Sequence, residues 1–274
     1  MAPARLGEQV EAIPSLTLSD FVSPGLRASP EGESDAPAAR LARLVDAAVE
    51  EAIAAAGLGA ERLSRAAFLM GTSSLDVSVT EEDFAAALAR GEDAHPLMSN
   101  SLMGEMGRGI ARRFGVGGPI LTINTACTAS ANALAYADAL IRSGRAEHAL
   151  VLGVELFNRL TAFGFKSLEL LTPHGMKPFD ARRSGLVLGE ACAALVVGAQ
   201  PAPAGGFRLR GSANMCDTHG VSAANPDGST VAAVMTGALE DAGVRPSDIL
   251  AVKTHGTASL LNDEAEAAGL RRVF

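Results

Sequence analysis

Apolar residues recur every three or four positions in several parts of the chain, and this spacing predicts amphipathic helices. The clearest run extends from Pro37 to Leu58, and Gly57 is suited to the left-handed turn that ends many helices. Its apolar positions are Leu41, Leu44, Val45, Ala48, Val49 and Ile53. Further helices are predicted at residues 81–90, 101–114, 129–143, 229–243 and 262–274.

Short apolar runs lie between these helices and predict buried strands. They cover residues 66–72, 120–125, 148–154, 186–198, 207–215 and 249–255. A strand, a helix and a strand follow one another from 120 to 154, as in a parallel β-α-β unit. A similar order returns after the Pro- and Gly-rich stretch 201–206, which predicts an α/β fold with two related halves.

The domain boundaries follow from this pattern. Residues 1–36 are expected to be an irregular lead-in, because they combine Pro, Ser, Gly and acidic residues with weak periodicity. Residues 37–200 form the predicted first half, and residues 207–274 form a partial second half.

Composition excludes several classes of protein. The net charge of −8, the absence of a Lys/Arg block and an aromatic content of 4% without Trp argue against a nucleic-acid partner. Glu190 interrupts the best apolar stretch, so no membrane span is expected. The N-terminal residues carry charge and lack an apolar run, so no signal peptide is predicted and a cytoplasmic location is expected.

Cys127 is the most suggestive of three cysteines, because it lies between the strand that ends at Thr125 and the helix at 129–143. Unpaired N–H groups at the start of a helix favour the thiolate, which suits a nucleophile. The alternative is that Cys127 is a small buried apolar residue. Cys192 is expected in the core, and the spacing of Cys216 to His219 is only weak evidence for a metal site.

His255 is the best candidate base among five histidines. It ends the predicted strand 249–255, and α/β folds place their sites at the carboxyl ends of parallel strands. Structural or solvated roles are expected for His95, His148, His174 and His219. Phosphate-binding glycine motifs are not found, which argues against nucleotide binding.

Three blocks resemble motifs of the β-ketoacyl synthases, the condensing enzymes of the thiolase superfamily, in the family's order. They are NTACTASANAL (124–134), KPFDARRSGLVLGEACAALVV (177–197) and THGTASLLNDEAEA (254–267). The matching residues of the second block are Pro178, Phe179, Asp180, Arg183, Gly185, Gly189 and Glu190. Those of the third are His255, Gly256, Thr257, Asn262, Asp263 and Glu266.

The resemblance implies a thiolase-like fold in α-β-α-β-α layers and an acyltransferase that acts as a dimer, homodimeric or paired with a related synthase subunit. An acyl group would pass from an acyl carrier protein to Cys127, and malonyl-carrier protein would then condense with it, losing carbon dioxide. His255 would bind the malonyl carbonyl, and Thr257 and Ser259 would bind the phosphopantetheine arm. Asp180, Arg183, Glu190, Asp263 and Glu266 would stabilise loops, and neither a metal nor a nucleotide is needed.

The resemblance also leaves alternatives open. The family has a second catalytic His and a Gly- and Phe-rich loop in segments that would follow Phe274, so the chain is expected to be truncated before them. It would then act as a synthase, as a non-catalytic partner of the chain-length-factor type, or as an inactive fragment. The apolar residues Phe163, Phe165, Leu168 and Leu171 fit an acyl tunnel or a plain core, and fatty-acid and polyketide pathways both remain open.

Overall fold

The computed structural model describes residues 37–91, 102–200, 207–220 and 223–274. The expected lead-in at 1–36, the joint at 201–206 and His95 lie outside the described residues.

The described chain alternates helices and strands. The helices are α1 (Pro37–Ala56), α2 (Ala60–Leu63), α3 (Leu75–Ala89), α4 (Met103–Arg113), α5 (Ala129–Arg142), α6 (Arg159–Ser167), α7 (Ser229–Ala242) and α8 (Leu260–Val273). The strands are β1 (Ala67–Gly71), β2 (Ile120–Ile123), β3 (His148–Glu155) and β4 (Ala191–Gly198).

The four strands form one sheet in the order β2-β1-β3-β4. β1 is parallel to β2 and to β3, with Phe68 opposite Ile120 and Leu150, while β4 runs antiparallel to β3. The chain thus crosses from β2 through α5 to the parallel strand β3, which confirms the predicted β-α-β unit. Because three strands are parallel, their carboxyl ends meet at one edge of the sheet.

Helices cover the two faces of this sheet. On one face Phe68 and Met70 of β1 pack with Leu41, Val45 and other apolar residues of α1 and α4. On the other face Leu69 packs with Ala133 and Ala137 of α5. Every residue of β1 is buried, as expected for a central strand covered on both sides.

The second half differs from its prediction. The strands predicted at 207–215 and 249–255 are wrong, because the described backbone there forms no ladder. A strand requires a neighbour that completes its backbone hydrogen bonds, and the sheet of the described residues has its four strands elsewhere. The first segment instead lies along α7, where a Cβ on Gly211 would be 2.5 Å from the nitrogen of Ala242. α7 packs on α8.

Two boundaries and two elements in the first half also differ from the predictions. α3 begins at Leu75 rather than at residue 81, and the short helix α2 was not predicted. β4 begins at Ala191 rather than at residue 186, because only the later residues pair with β3. Helix α6 was not predicted, and Asn158 caps its start by accepting a hydrogen bond from the backbone N–H of Thr161 at 2.7 Å.

Candidate active site

The residues Thr125–Thr128, called the nucleophile turn below, connect β2 to α5. Ala126–Thr128 form one turn of 3₁₀ helix, and α5 begins at Ala129. Ala126 has a φ of 51°, a left-handed conformation that costs energy in a residue other than glycine. The turn presents Cys127 as an exposed residue at the amino end of α5. This exposure disagrees with the alternative of a small buried apolar residue, and the role of Cys127 as a nucleophile stays a prediction.

Two glycines let α5 begin directly against the carboxyl edge of the sheet. A Cβ on Gly71, the last residue of β1, would lie 2.5 Å from the carbonyl oxygen of Ala129. A Cβ on Gly153 of β3 would lie 2.8 Å from Oγ of Ser130. A larger residue at position 71 would displace the backbone of the first turn of α5, and one at position 153 would displace the side chain of Ser130, so these glycines help to place the nucleophile turn.

The structure brings the side chains of Cys127 and His255 close enough to interact. The interaction with His255 is the largest influence on the sulfur and lowers the pKa of Cys127 below its ordinary value, although desolvation of the thiol acts in the opposite direction. The same interaction raises the pKa of His255, again against desolvation. Both shifts favour a thiolate next to an imidazolium, which is the reactive form of a cysteine nucleophile.

A buried carboxylate fixes the backbone on which His255 sits. Glu266 of α8 accepts hydrogen bonds from the backbone N–H of His255 at 2.6 Å and from that of Gly256 at 2.8 Å. Gly256 has a φ of 55°, and a Cβ there would lie 2.9 Å from Oγ1 of Thr254 and 3.4 Å from Cβ of Pro178. The second and third sequence blocks therefore meet at this glycine.

Asp263 fixes the other end of the same loop. Its side chain is 1% exposed, and it accepts hydrogen bonds from the backbone N–H of Phe179 at 2.7 Å and of Ala258 at 3.1 Å. Phe179 and Ala258 have φ values of 62° and 60°, so one carboxylate stabilises two strained residues. Arg183 lies beside it and donates to the carbonyl oxygen of Leu260.

Thr257 and Ser259 lie on this loop next to His255. Their hydroxyl oxygens are 3.0 Å apart, and both residues are half-buried. Each hydroxyl can exchange this mutual bond for one to a polar ligand, so their role as ligands of the phosphopantetheine arm stays a prediction.

Glu155 is a polar residue of the site that the sequence analysis missed. It ends β3 and accepts hydrogen bonds from the backbone N–H of Ser73 at 2.7 Å and of Ser74 at 3.0 Å, just before α3. Its negative charge is a small influence that raises the pKa of Cys127. The signal in the sequence was an acidic residue directly after an apolar strand.

The other cysteines differ from Cys127 in their surroundings. Cys192 packs against the core, as predicted, and burial raises its pKa to about 12. Cys216 is exposed near His219, but no group of three potential metal ligands occurs in the part of the chain that the structure describes. Within the same residues, no helix combines the length and the apolar character that crossing a membrane requires.

Family models match almost all of the described chain. Residues 32–201 match the N-terminal domain of β-ketoacyl synthases, and residues 207–274 match their C-terminal domain.

Individual relatives agree with these matches. The 3-oxoacyl-[acyl-carrier-protein] synthase 2 of a Synechocystis strain is 29% identical over 75% of this chain and 53% of its own length. The ketoacyl synthase alpha subunit of the tetracenomycin polyketide synthase from Streptomyces glaucescens is 29% identical over 60% of this chain and 42% of its own. The chain thus spans about half the length of the curated relatives it matches.

A solved structure shows the same architecture. It contains a ketosynthase of Xenorhabdus doucetiae in complex with its chain length factor. The match has a TM-score of 0.72 and 31% identity, and it covers 92% of this chain and 64% of the other. The two matched domains establish that this chain belongs to the β-ketoacyl synthase family, and the sheet and the nucleophile turn agree with its thiolase-like α/β fold.

Proposed function

We propose that this chain provides the acyl-accepting site of a β-ketoacyl synthase, with Cys127 as the nucleophile and His255 as its partner. The observation that carries the proposal is the proximity of these two side chains, through which each shifts the pKa of the other. The two residues come from different family blocks, 128 positions apart in the chain, and their interaction favours a catalytic pair over a non-catalytic chain-length-factor role.

The first step is the transfer of an acyl group to sulfur. The thiol proton of Cys127 passes to the imidazole of His255, and the thiolate attacks the carbonyl carbon of an acyl thioester on the carrier protein. The tetrahedral intermediate then expels the phosphopantetheine sulfur, which takes a proton from the imidazolium. The backbone N–H of Cys127 at the amino end of α5 would stabilise the oxyanion.

The second step forms the carbon–carbon bond. The malonyl thioester loses carbon dioxide, and the electron pair of the broken bond forms an enolate whose oxygen accepts a hydrogen bond from His255. The enolate carbon attacks the acyl carbonyl on Cys127, and the sulfur leaves as a thiolate. Thr257 and Ser259 would bind the phosphopantetheine arm during this step, since their hydroxyls lie beside His255.

The partners follow from the same chemistry. An acyl carrier protein would deliver both thioesters, in agreement with the name of the Synechocystis relative, a 3-oxoacyl-[acyl-carrier-protein] synthase. The complex of the Xenorhabdus ketosynthase with its chain length factor supports a dimer with an identical or related subunit. Fatty-acid and polyketide pathways both fit, and a cytoplasmic location stays a prediction.

Acyl loading tests this proposal directly. The chain is incubated with an acyl-carrier protein, and its intact mass is measured before and after malonyl-carrier protein is added. We expect one acyl group on the wild type and on Cys216→Ala, whose altered cysteine is also exposed, and none on Cys127→Ala. An acylated Cys127→Ala variant would overturn the assignment of the nucleophile. A wild type without any acyl group would favour the non-catalytic partner.

A further inference from the structure

Asn132 is a nearly buried amide in the first turns of α5, directly behind the nucleophile turn. Its Nδ2 donates to Oγ1 of Thr125 at 2.7 Å and to Oγ1 of Thr128 at 3.3 Å. These two threonines flank Ala126 and Cys127, and their own hydroxyls are 3.0 Å apart. One side chain of the helix therefore fixes both ends of the nucleophile turn.

The remaining polar atom of Asn132 faces the second matched domain. Its Oδ1 accepts a hydrogen bond of 2.7 Å from Nδ2 of Asn214, which lies in the segment along α7. The same segment is hydrogen-bonded to α7, because the backbone N–H of Ser212 donates to Asp241 at 2.9 Å. Asp241 also pairs with Arg142 at the end of α5.

The nucleophile turn needs such support because of its backbone. A left-handed residue such as Ala126 persists only where the surrounding contacts determine its conformation. Asn124 supplies part of this from the other side, since its Oδ1 accepts from the backbone N–H of Ala126 at 3.4 Å and its Nδ2 donates to the carbonyl oxygen of Ser73. That Asn124 contact is long, which leaves Asn132 as the stronger constraint.

We propose that Asn132 and Asn214 are positioning residues for Cys127, and that Asn214 acts through Asn132 to link the second domain to the nucleophile. The inference deepens the proposed function, on which it rests. Loss of either amide allows the nucleophile turn to relax, so that Cys127 contacts His255 for a smaller fraction of the time. The cysteine then loses reactivity although neither altered residue touches the substrate.

The test measures the rate at which iodoacetamide alkylates Cys127, as a function of pH, by mass spectrometry of the peptide. The variants are Asn132→Ala, Asn214→Ala and the double variant. Asn225→Ala is the matched control, because Asn225 lies in the same domain but its side chain bonds to Ser229 and to the backbone N–H of Asp227 instead. We expect each single variant to be alkylated roughly fivefold more slowly near neutral pH, which is the effect of one net hydrogen bond, and the control to match the wild type.

Comparison of the single and double variants distinguishes positioning of Cys127 from a general loss of protein stability. If Asn214 acts through Asn132, the double variant is no slower than Asn132→Ala, and Asn214→Ala has no further effect in a His255→Ala background. Independent, multiplying losses in the double variant would overturn the proposal, as would a wild-type rate in Asn214→Ala. Should Asn132→Ala fail to fold, Asn214→Ala on its exposed segment decides alone. The alkylation assay needs no carrier protein, so its outcome is separate from that of acyl loading.

Discussion

Asp263 lies in helix α8, but its side chain stabilises the backbone of the loops around the candidate active site. One buried carboxylate accepts the N–H groups of two left-handed residues, Phe179 and Ala258, in two separate sequence blocks. Their places beside predicted strands made Cys127 and His255 candidates, and the family blocks then supported both and marked Asp263 as a loop residue. They did not single out Asn132 or Glu155, because the contacts that give these residues their roles, with Asn214 and with Ser73, each join positions 82 residues apart.

Replacement of Asp263 by alanine is expected to lower the free energy of unfolding by about 3 kcal/mol, since it leaves two backbone N–H groups unsatisfied. Arg183 would also lose its nearby carboxylate. Glu264→Ala is the control, because Glu264 is the exposed neighbour on the same helix and its loss is expected to change stability by less than about 0.5 kcal/mol. Urea unfolding of both variants measures this difference, and equal midpoints would contradict it.

At the scale of elements, the apolar pattern predicted the first half well. β1, β3 and α5 appear within two residues of their predicted bounds, because a buried strand or an amphipathic helix shows its environment in its own residues. The strands predicted at 207–215 and 249–255 were wrong for the opposite reason. An apolar run shows that a segment is suited to a sheet, but the ladder depends on a neighbour that the run itself does not encode.

Gly71 and Gly109 differ in the space around them, so their alanine variants are expected to change stability in opposite directions. Gly71→Ala is expected to destabilise the protein by about 1–3 kcal/mol and to slow alkylation of Cys127, because its Cβ would push against the first residue of α5. Gly109→Ala, inside α4 with open space around its Cβ, is expected to stabilise the protein by about 0.5–1 kcal/mol. Thermal unfolding distinguishes the two, and a loss of stability in Gly109→Ala or none in Gly71→Ala would contradict the packing described.

At the scale of the whole molecule, a buried ion pair joins segments 150 residues apart. Arg40 of α1 donates to both oxygens of Glu190, which also accepts the backbone N–H of Phe157 at 2.7 Å. Their side chains are 10% and 5% exposed. The sequence showed Glu190 only as an interruption of an apolar run and a match in the second block, because its partner lies at the other end of the described first half.

Arg40→Ala is expected to destabilise the protein by about 3–5 kcal/mol, since it leaves the buried charge of Glu190 without its partner. The contrasting pair is Arg65 and Glu61, which are exposed and one helical turn apart. Arg65→Ala is expected to cost less than about 0.5 kcal/mol. Chemical denaturation of both variants gives the comparison, and a similar small loss in each would show that the Arg40 pair is not a structural link.

The most direct test of the central claim is the pKa of Cys127, measured from the pH dependence of its alkylation in the wild type and in His255→Ala. The interaction with His255 is the largest influence that lowers this pKa, while desolvation raises it. Removal of the imidazole leaves only the smaller lowering influence of the backbone against desolvation. The midpoint is therefore expected to move to higher pH, whereas His219→Ala leaves it unchanged. An unchanged midpoint in His255→Ala would show that Cys127 and His255 do not act as a pair.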